Sequence, residues 1–310
     1  MQFKIENTRQ CKPLKVVLYG SEGIGKTTFA SHFPDPIFID TDNAGTGFID
    51  AKKLPDPTDW SMLMEEVKFA AQTKPGKTLV IDTMDWTEIL AKHYLMKKHN
   101  WKAIDSANYG AKYVELAQCI SDLLQELNNV INAGMNVVIT AHAQMRKQEL
   151  PDEMGAFDRY ELKLERRDNA LVKEWADLLL FANYKTTVVT GSNNSHKATG
   201  GERVMYTQHR PTWDAKNRLG LPEELPFDYE AIRGPLERAM GMKTDPVPAE
   251  IVAKLQASQL DLQALQTILY QGKFVANGTP LTQVPDPTWQ HINDHWDDAM
   301  NFYKQLQNQN

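Results

Sequence analysis

The sequence predicts an α/β fold in which helices flank a mainly parallel sheet and a small helical appendage follows at the C-terminal end. Apolar, β-branched runs alternate with helical patterns over residues 1–240, as in a parallel sheet with helical crossovers. A glycine-rich segment, GSEGIGKTT at 20–28, joins the first run to the first helical pattern. Residues 249–310 carry helical patterns alone. We therefore expect two domains, at 1–240 and 249–310, joined by a linker at 241–248.

The composition is that of an ordinary globular protein, with 42% hydrophobic and 24% charged residues in a chain of 310. No stretch approaches the ~20 apolar residues that cross a bilayer, so we expect no membrane partner. The two cysteines, Cys11 and Cys119, form no close pair, which favours a cytoplasmic protein. The formal net charge of −6 excludes a basic nucleic-acid coat, and any contact with DNA must use a local basic surface.

The glycine-rich segment fits the phosphate-binding pattern G-x-x-x-x-G-K-[ST]. A strand-like run at 14–19 precedes it and a helical pattern at 28–33 follows it, which is the context that the pattern requires. Glycines allow a tight turn whose backbone N–H groups meet phosphate oxygens, and the helix adds the positive end of its dipole. We predict that Lys26 reaches the β- and γ-phosphates of ATP and that Thr27 ligates Mg²⁺. The expected phosphate-binding residues are Gly20, Ser21, Glu22, Gly23, Ile24, Gly25, Lys26, Thr27 and Thr28.

Two further strand-like runs end in acids. Asp40 and Asp42 end the run 36–42, and Asp82 ends the apolar part of the run 77–83. Apolar residues followed by an acid have the form of a Walker B strand, and the carboxyl ends of parallel strands face the ligand crevice. We predict that Asp82 holds Mg²⁺ beside Thr27. The alternative is an ordinary buried strand with an acid in its turn.

The remaining elements follow from the same periodicities. The segment 145–168 is charged and long, which indicates a functional loop or an irregular insertion. The predicted helices are 60–71, one from about residue 86, 113–132 after a break at 108–113, and 249–257, 261–271 and 288–307 in the C-terminal domain. The predicted strands are 136–141, which leads to His142 and Gln144, and 177–190 and 203–207, which a hairpin loop at 191–201 connects.

The order of these motifs resembles that of the RecA-like ATPases, in which the fourth strand lies between the phosphate-loop strand and the Walker B strand. The matching segments are IFIDTD at 37–42, VIDT at 80–83, VVITAHAQ at 137–144 and the K-x-R sequence Lys216-Asn217-Arg218. NYGAKY at 108–113 and AKNR at 215–218 add a more specific resemblance to the phage-encoded RecA-core family of single-strand annealing proteins, the Sak-four-like group of AAA-type ATPases. The resemblance covers about residues 12–235.

This resemblance implies ATP hydrolysis with Mg²⁺ in a P-loop core. Asp42 matches the catalytic acid, with Asp40 and Asp85 as alternatives; the family usually has glutamate there, one methylene longer. His142 or Gln144 matches the γ-phosphate sensor, which is usually glutamine or asparagine.

The resemblance also implies a homo-oligomer, as a ring or a filament. Lys216 and Arg218 match the pair that such proteins insert into a neighbour's active site, so together with Lys26 and Asp82 they complete the predicted catalytic set. The alternative for Lys216 and Arg218 is a solvated charged turn.

Single-stranded DNA is the partner that the resemblance implies. RecA-type cores present their DNA loops after the Walker B and fourth strands, and basic and aromatic residues there can meet phosphates and bases. The candidates are Lys97, Lys98, Trp101, Lys102, Arg146 and Lys147, with a charged helix face as the alternative.

We predict an ATP-hydrolysing phage recombination protein, in the host cytoplasm, that promotes annealing or strand pairing. Its C-terminal region is a candidate contact for a single-strand-binding protein. The alternatives are a RecA-like helicase or loader motor and a nucleotide-dependent assembly module with little hydrolysis.

Overall fold

The computed structural model describes residues 12–43, 45–105, 107–149, 155–190, 196–241, 247–281 and 284–307. It divides the chain into two compact units, Met1–Met240 and Gly241–Asn310. Most of the predicted linker (242–246) and the first half of the predicted hairpin loop (191–195) lie outside the described residues.

A mostly parallel sheet forms the centre of the first unit, as the sequence predicts. Its described order is β10-β8-β7-β1-β5-β4-β2-β3, with β6 beside β5 and β9 beside β7. The strands from β7 to β3 in this order pair in parallel, and the other pairings are antiparallel. The strands are β1 (Lys15–Gly20), β2 (Pro36–Asp40), β3 (Lys52–Lys53), β4 (Thr78–Asp82), β5 (Asn136–Glu149), β6 (Ala156–Leu162), β7 (Leu178–Thr190), β8 (His196–Tyr206), β9 (Lys216–Asn217) and β10 (Glu224–Pro226). β5 lies between β1 and β4, which confirms the expected position of the fourth strand.

Helices cover both faces of this sheet. Alternate residues of each central strand enter different cores, because successive side chains of a strand point to opposite faces. Val17 and Ile139 pack with the first set of helices, whereas Val16 and Val138 pack with the second. The first set is α2 (Trp60–Thr73), α3 (Met84–His99), α4 (Ala107–Asn132) and α5 (Arg166–Trp175); the second is α1 (Lys26–Ser31) and α6 (Glu230–Ala239). Burial on both faces explains why the strands read as continuous apolar runs.

Four predictions about element boundaries are wrong. The loop predicted at 191–201 is strand from His196 onward, because β8 begins there and not at Arg203. α4 begins at Ala107 and runs through the expected break at 108–113, although Gly110 has a φ of 76°. The charged segment 145–168 is not a long loop, because β5 continues to Glu149 and pairs with β6. Backbone pairing stabilises this ribbon, and its largely polar side chains give no apolar alternation from which to predict a strand. A helix predicted over 288–307 is divided near His295.

The second unit is helical and has its own core. Its helices are α7 (Ala249–Ala257), α8 (Leu262–Gln271), α9 (Asp286–Asp294) and α10 (Trp296–Gln307). Trp289 and Trp296 pack with Ile251, Leu265 and Ile268 in this core. Within the described ranges, no helix of either unit combines the length and the apolar character needed to cross a bilayer.

Glu66 on α2 is a charged residue buried in the first unit. It follows Leu63 by one helical turn, is 7% exposed, and its two carboxylate oxygens have no hydrogen-bond partner in the described part of the chain. Burial, with a smaller contribution from the charge of Asp56, raises its pKa to about 7. Glu66 therefore takes up a proton on folding when the pH lies between its ordinary value and about 7.

We expect the Glu66→Gln variant to be more stable than the parent at pH 7.5, by about 1–3 kcal/mol in the free energy of unfolding. A raised carboxyl pKa contributes stability at low pH that is lost as the pH rises to about 7, and glutamine removes this loss. Urea unfolding at pH 4.5 and 7.5 measures the difference, which should shrink at the lower pH. Glu65→Gln, on the exposed side of the same helix, is the matched control. Equal pH dependence of the parent and Glu66→Gln would contradict the assignment.

Candidate active site

The phosphate-binding loop leaves the carboxyl end of β1 and enters α1 at Gly25. Gly25 caps the helix with a φ of 106°, a conformation that side chains with a Cβ rarely adopt. Ile24 is fully buried and anchors the loop in the core that α1 shares with the sheet. Ser21, Glu22, Gly23 and Thr28 complete the loop around this anchor, with Glu22, Gly23 and Thr28 exposed. The loop is therefore anchored to the core by Ile24, while Glu22, Gly23 and Thr28 are open to solvent.

Lys26 lies over this loop. Its Nζ donates to the carbonyl oxygens of Ser21 at 3.0 Å and Gly20 at 3.3 Å, and the residue is 6% exposed. Burial lowers the pKa of Lys26, and the carboxylates of Asp82 and Asp85 oppose that shift most strongly among the nearby acids. The ammonium is thus held where the loop turns, beside the acids of the neighbouring strands.

Thr27 and Asp82 meet as the sequence predicts. Thr27 Oγ1 donates to Asp82 Oδ2 at 2.6 Å, and the Thr140 hydroxyl of β5 donates to Asp82 Oδ1. Burial raises the pKa of Asp82, although both hydrogen bonds act to lower it. Mg²⁺ prefers oxygen ligands and retains several waters, so a threonine hydroxyl and a carboxylate at the sheet edge fit this ion. Thr27 and Asp82 are the residues that would hold it.

The segment after β2 covers Thr27. Buried Asp40 accepts hydrogen bonds from the backbone N–H of Asn43, at 2.9 Å, and from the Thr46 hydroxyl. A Cβ on Gly45 would lie 2.8 Å from Thr27 Oγ1, so only glycine allows this approach. Asp40 is therefore occupied in holding the turn. Asp42 is half-buried in the same turn, and its charge acts to raise the pKa of Lys26.

The ends of β2 and β4 are also joined directly. The Thr41 hydroxyl donates to Thr83 O at 2.8 Å and accepts from Thr83 N at 2.9 Å, and the Asp82–Thr83 peptide is cis.

His142 is the sensor candidate that lies beside the loop. It pairs in register with Gly20, and its backbone N–H and its ring Nδ1 contact the two carboxylate oxygens of Asp85 at 3.0 and 2.9 Å. Burial acts to raise the pKa of Asp85, but its hydrogen bonds, chiefly from His142, hold it below the ordinary value. Gln144 instead donates to Leu162 O at 2.9 Å, so its amide is used within the β5–β6 ribbon.

Lys216 and Arg218 lie at the opposite edge of the sheet. Asn217 pairs with Leu178 at the beginning of β7, whereas Gly20 pairs with Ala182, four residues further along that strand. Four residues of strand span about 13 Å, which exceeds the reach of a side chain. Neither residue can therefore act on its own phosphate loop.

Lys216 and Arg218 both form hydrogen bonds with nearby residues at that edge. Lys216 Nζ donates to Glu174 O at 2.9 Å, at the end of α5. Arg218 Nη1 donates to Asp177 Oδ1 at 2.8 Å, and the arginine side chain remains 57% exposed.

Four of the predicted DNA-contacting residues line two clefts, which share His93. Lys102 and Arg146 line a cleft of roughly 660 Å³, whereas Lys97 and Lys98 line a smaller one with Tyr94. Lys147 follows Arg146 on β5 and therefore points to the other face of the ribbon.

Trp101 is placed unfavourably for base stacking. It is half-buried against the core, its ring stacks on His99 at 4.5 Å, and Lys112 Nζ lies 5.4 Å from the ring centroid. The prediction missed this because proximity in sequence does not show which ring faces are covered.

The larger cleft, here called the α3 cleft, contains an aromatic residue that the sequence prediction missed. Trp86, in the first turn of α3, is 43% exposed and follows Asp85, the partner of His142. The lining of the α3 cleft includes Trp86, Lys92, Lys102, Tyr113, Arg146 and Lys163. Arg203 on β8 was also missed, since only strand pairing brings it to the phosphate loop, where it donates to Ile24 O.

We expect Thr140→Val to shift the pH dependence of Mg²⁺-dependent ATP binding upward. Loss of the hydroxyl removes a hydrogen bond that lowers the pKa of Asp82, and a metal ligand must be ionised to bind. Titration of nucleotide affinity between pH 5.5 and 8.5, with and without Mg²⁺, measures the shift. Thr78→Val, at the other end of the Walker B strand, should leave the profile in place. Identical profiles for Thr140→Val and the parent would exclude this role.

Comparison with known proteins gives one family. The chain matches the model of the AAA domain over residues 12–219. No curated protein matches it. Among solved structures, a KaiC-like protein from the hyperthermophilic archaeon Pyrococcus horikoshii is similar, with 12% identity and a TM-score of 0.36, over 69% of this chain and 85% of that one. Because the family match extends over more than half of the chain, this protein belongs to the AAA domain family, which supports a P-loop ATPase.

Proposed function

We propose that this protein is a DNA-stimulated ATPase that oligomerises on single-stranded DNA and promotes annealing or strand pairing in phage recombination. The observation that supports this most directly is the position of the α3 cleft. It begins at Asp85, whose carboxylate is bound to His142 beside the phosphate loop. A change in the nucleotide bound at the loop can therefore alter the cleft through the pair of His142 and Asp85.

The reaction is in-line attack of water on the γ-phosphate of ATP. The loop amides and Lys26 position the phosphates; Thr27 and Asp82 would hold Mg²⁺, which would supply positive charge to the phosphate oxygens. Asp42 orients the water or accepts its proton. Its two alternatives are Asp40, which holds the turn, and Asp85, which holds His142.

His142 detects the γ-phosphate in this proposal. Its ring and backbone N–H hold Asp85, and its carbonyl oxygen accepts a hydrogen bond from Lys163 N at 2.8 Å. A change in the position of His142 therefore moves both Trp86, next to Asp85, and Lys163. Both residues line the α3 cleft.

The α3 cleft has the chemistry of a single-strand site. Lys102 and Lys163 are exposed for phosphate contacts, and Trp86 offers a ring face for a base. The acid Glu88 is already engaged, since it accepts from Glu165 N at 2.7 Å and pairs with Lys92. Lys102 and Lys163 are then the exposed cations that a strand would meet, with the half-buried Glu165 beside them.

Lys216 and Arg218 act in trans in this proposal. They lie too far from their own phosphate loop. The guanidinium of the exposed Arg218 can donate paired hydrogen bonds to phosphate oxygens. The active site is then completed by a neighbouring copy, and assembly controls hydrolysis. A partner such as a single-strand-binding protein would contact the C-terminal unit, outside this arrangement.

We expect mixed assemblies of two inactive variants to regain hydrolysis. Lys26→Ala lacks the phosphate-binding lysine, and Arg218→Ala lacks the arginine that acts on the neighbouring copy. In a mixture, some interfaces combine the intact phosphate loop of an Arg218→Ala protomer with the intact Arg218 of a Lys26→Ala protomer. Random assortment predicts roughly a quarter of the parental turnover at equal amounts. Turnover of the mixture, with oligomer mass measured in parallel, tests this. A mixture as inactive as its components, at parental oligomer mass, would contradict action in trans.

We expect Trp86→Ala to weaken binding of single-stranded DNA by about tenfold or more, because base–aromatic stacking contributes about 1–3 kcal/mol. Fluorescence anisotropy with a labelled oligonucleotide measures affinity, and ATP turnover with increasing DNA measures stimulation. Lys102→Glu should also lower affinity and reduce its salt dependence. Phe69→Ala, which removes an exposed aromatic residue of α2, is the matched control.

Equal DNA affinity of Trp86→Ala and Phe69→Ala would remove the α3 cleft from the proposal. ATP binding without DNA-stimulated turnover would instead favour a nucleotide-dependent assembly module. Unwinding of duplex DNA would favour a helicase or loader motor.

A further inference from the structure

Arg203 lies beside the phosphate loop although it is far from it in sequence. It pairs with Tyr184 on β7, two residues beyond Ala182, which pairs with Gly20 at the tip of β1. Its Nη1 donates to Ile24 O at 3.1 Å and lies 3.0 Å from the position that a Cβ on Gly25 would take. The guanidinium thus occupies space that only a glycine at the helix N-cap leaves open.

The position of Arg203 is fixed by the same helix that follows the loop. Phe227 N donates to Arg203 O at 3.0 Å, and the Phe227 ring stacks on Phe29 of α1 with centroids 4.9 Å apart and planes at 6°. The backbone of Arg203 is therefore tied to α1, and its side chain is tied to the loop. Such pre-organisation reduces the ordering cost of binding a ligand.

The charge of Arg203 has no carboxylate partner within the described ranges. Other arginines of this unit pair with acids, for example Arg210 with Glu223 and Arg218 with Asp177. The single side-chain hydrogen bond found for Arg203 in these ranges is the one to the Ile24 carbonyl, which uses one of five N–H donors. Donors remain for an anion at the loop.

We propose that Arg203 is a nucleotide-binding residue that contacts the phosphate nearest the nucleoside. Asp82 and Thr27, which mark the metal-bound end of the phosphate chain, lie toward β4, whereas β8 lies on the other side of β1, beyond β7. Arg203 therefore faces the opposite end of the chain of phosphates, the α-phosphate that ADP and ATP share. The inference rests on nucleotide binding by this loop and is independent of DNA.

We expect Arg203→Ala to weaken binding of ADP and of a non-hydrolysable ATP analogue by similar factors of about tenfold, since hydrogen bonds to charged groups contribute about 1.5–3 kcal/mol. Isothermal titration calorimetry at several salt concentrations measures both affinities. Loss of a cation–phosphate contact should also reduce their salt dependence. Arg203→Lys keeps the charge but not the paired donors of the guanidinium, so its nucleotide affinity should be intermediate. Arg210→Ala, which removes the partner of Glu223, should bind nucleotide like the parent.

Three results would overturn the inference: unchanged affinity for ADP, a loss confined to the ATP analogue, or a loss for both with the parental salt dependence. The last would mean that Arg203 only braces the loop through Ile24. Lys26→Ala separates the inference from its premise: unchanged nucleotide binding by that variant would place the nucleotide elsewhere in the protein.

Discussion

The structure depends on the register of four neighbouring parallel strands. Gly20 of β1 lies opposite His142 of β5, and Asp40 of β2 lies opposite Asp82 of β4. Parallel strands bring their carboxyl ends to one edge, so the phosphate loop, the sensor candidate and the acids meet there. A shift of one residue would turn each of these side chains to the other face of the sheet. Burial of apolar residues on both faces prevents such a shift.

The polar groups at this edge are buried, and their hydrogen bonds specify one arrangement. Asp82 accepts from hydroxyls on two different elements, and Asp40 closes the turn that covers Thr27. A buried carboxylate without such donors would be costly. The low dielectric that raises the pKa of Asp82 also strengthens its attraction for a cation once it is ionised. The cost of burying these groups and their affinity for a charged ligand thus have the same origin.

The surfaces proposed for function lie around this edge and opposite it. His142 connects the nucleotide edge to the α3 cleft through Asp85 and Lys163. Arg218 lies at the amino edge, about the length of a strand away from the loop. A protomer that presents its loop at one edge and its cation at the other is suited to head-to-tail assembly, in which each interface combines the two. This geometry would couple DNA binding, nucleotide state and assembly in one chain.

The sequence by itself determined the phosphate loop, the core strands and the acids at their carboxyl ends, and the resemblance implied that the fourth strand lies between the first and the third. These signals are local: a glycine pattern between a strand and a helix, apolar runs buried on both faces, and acids at strand ends. Tertiary structure alone decided which acids are occupied, that Trp101 is covered while Trp86 is exposed, and that Arg203 reaches the loop. It also decided that residues 143–149 continue β5. The physical reason is that these facts depend on contacts between residues distant in sequence, and neither propensity nor spacing along the chain records them.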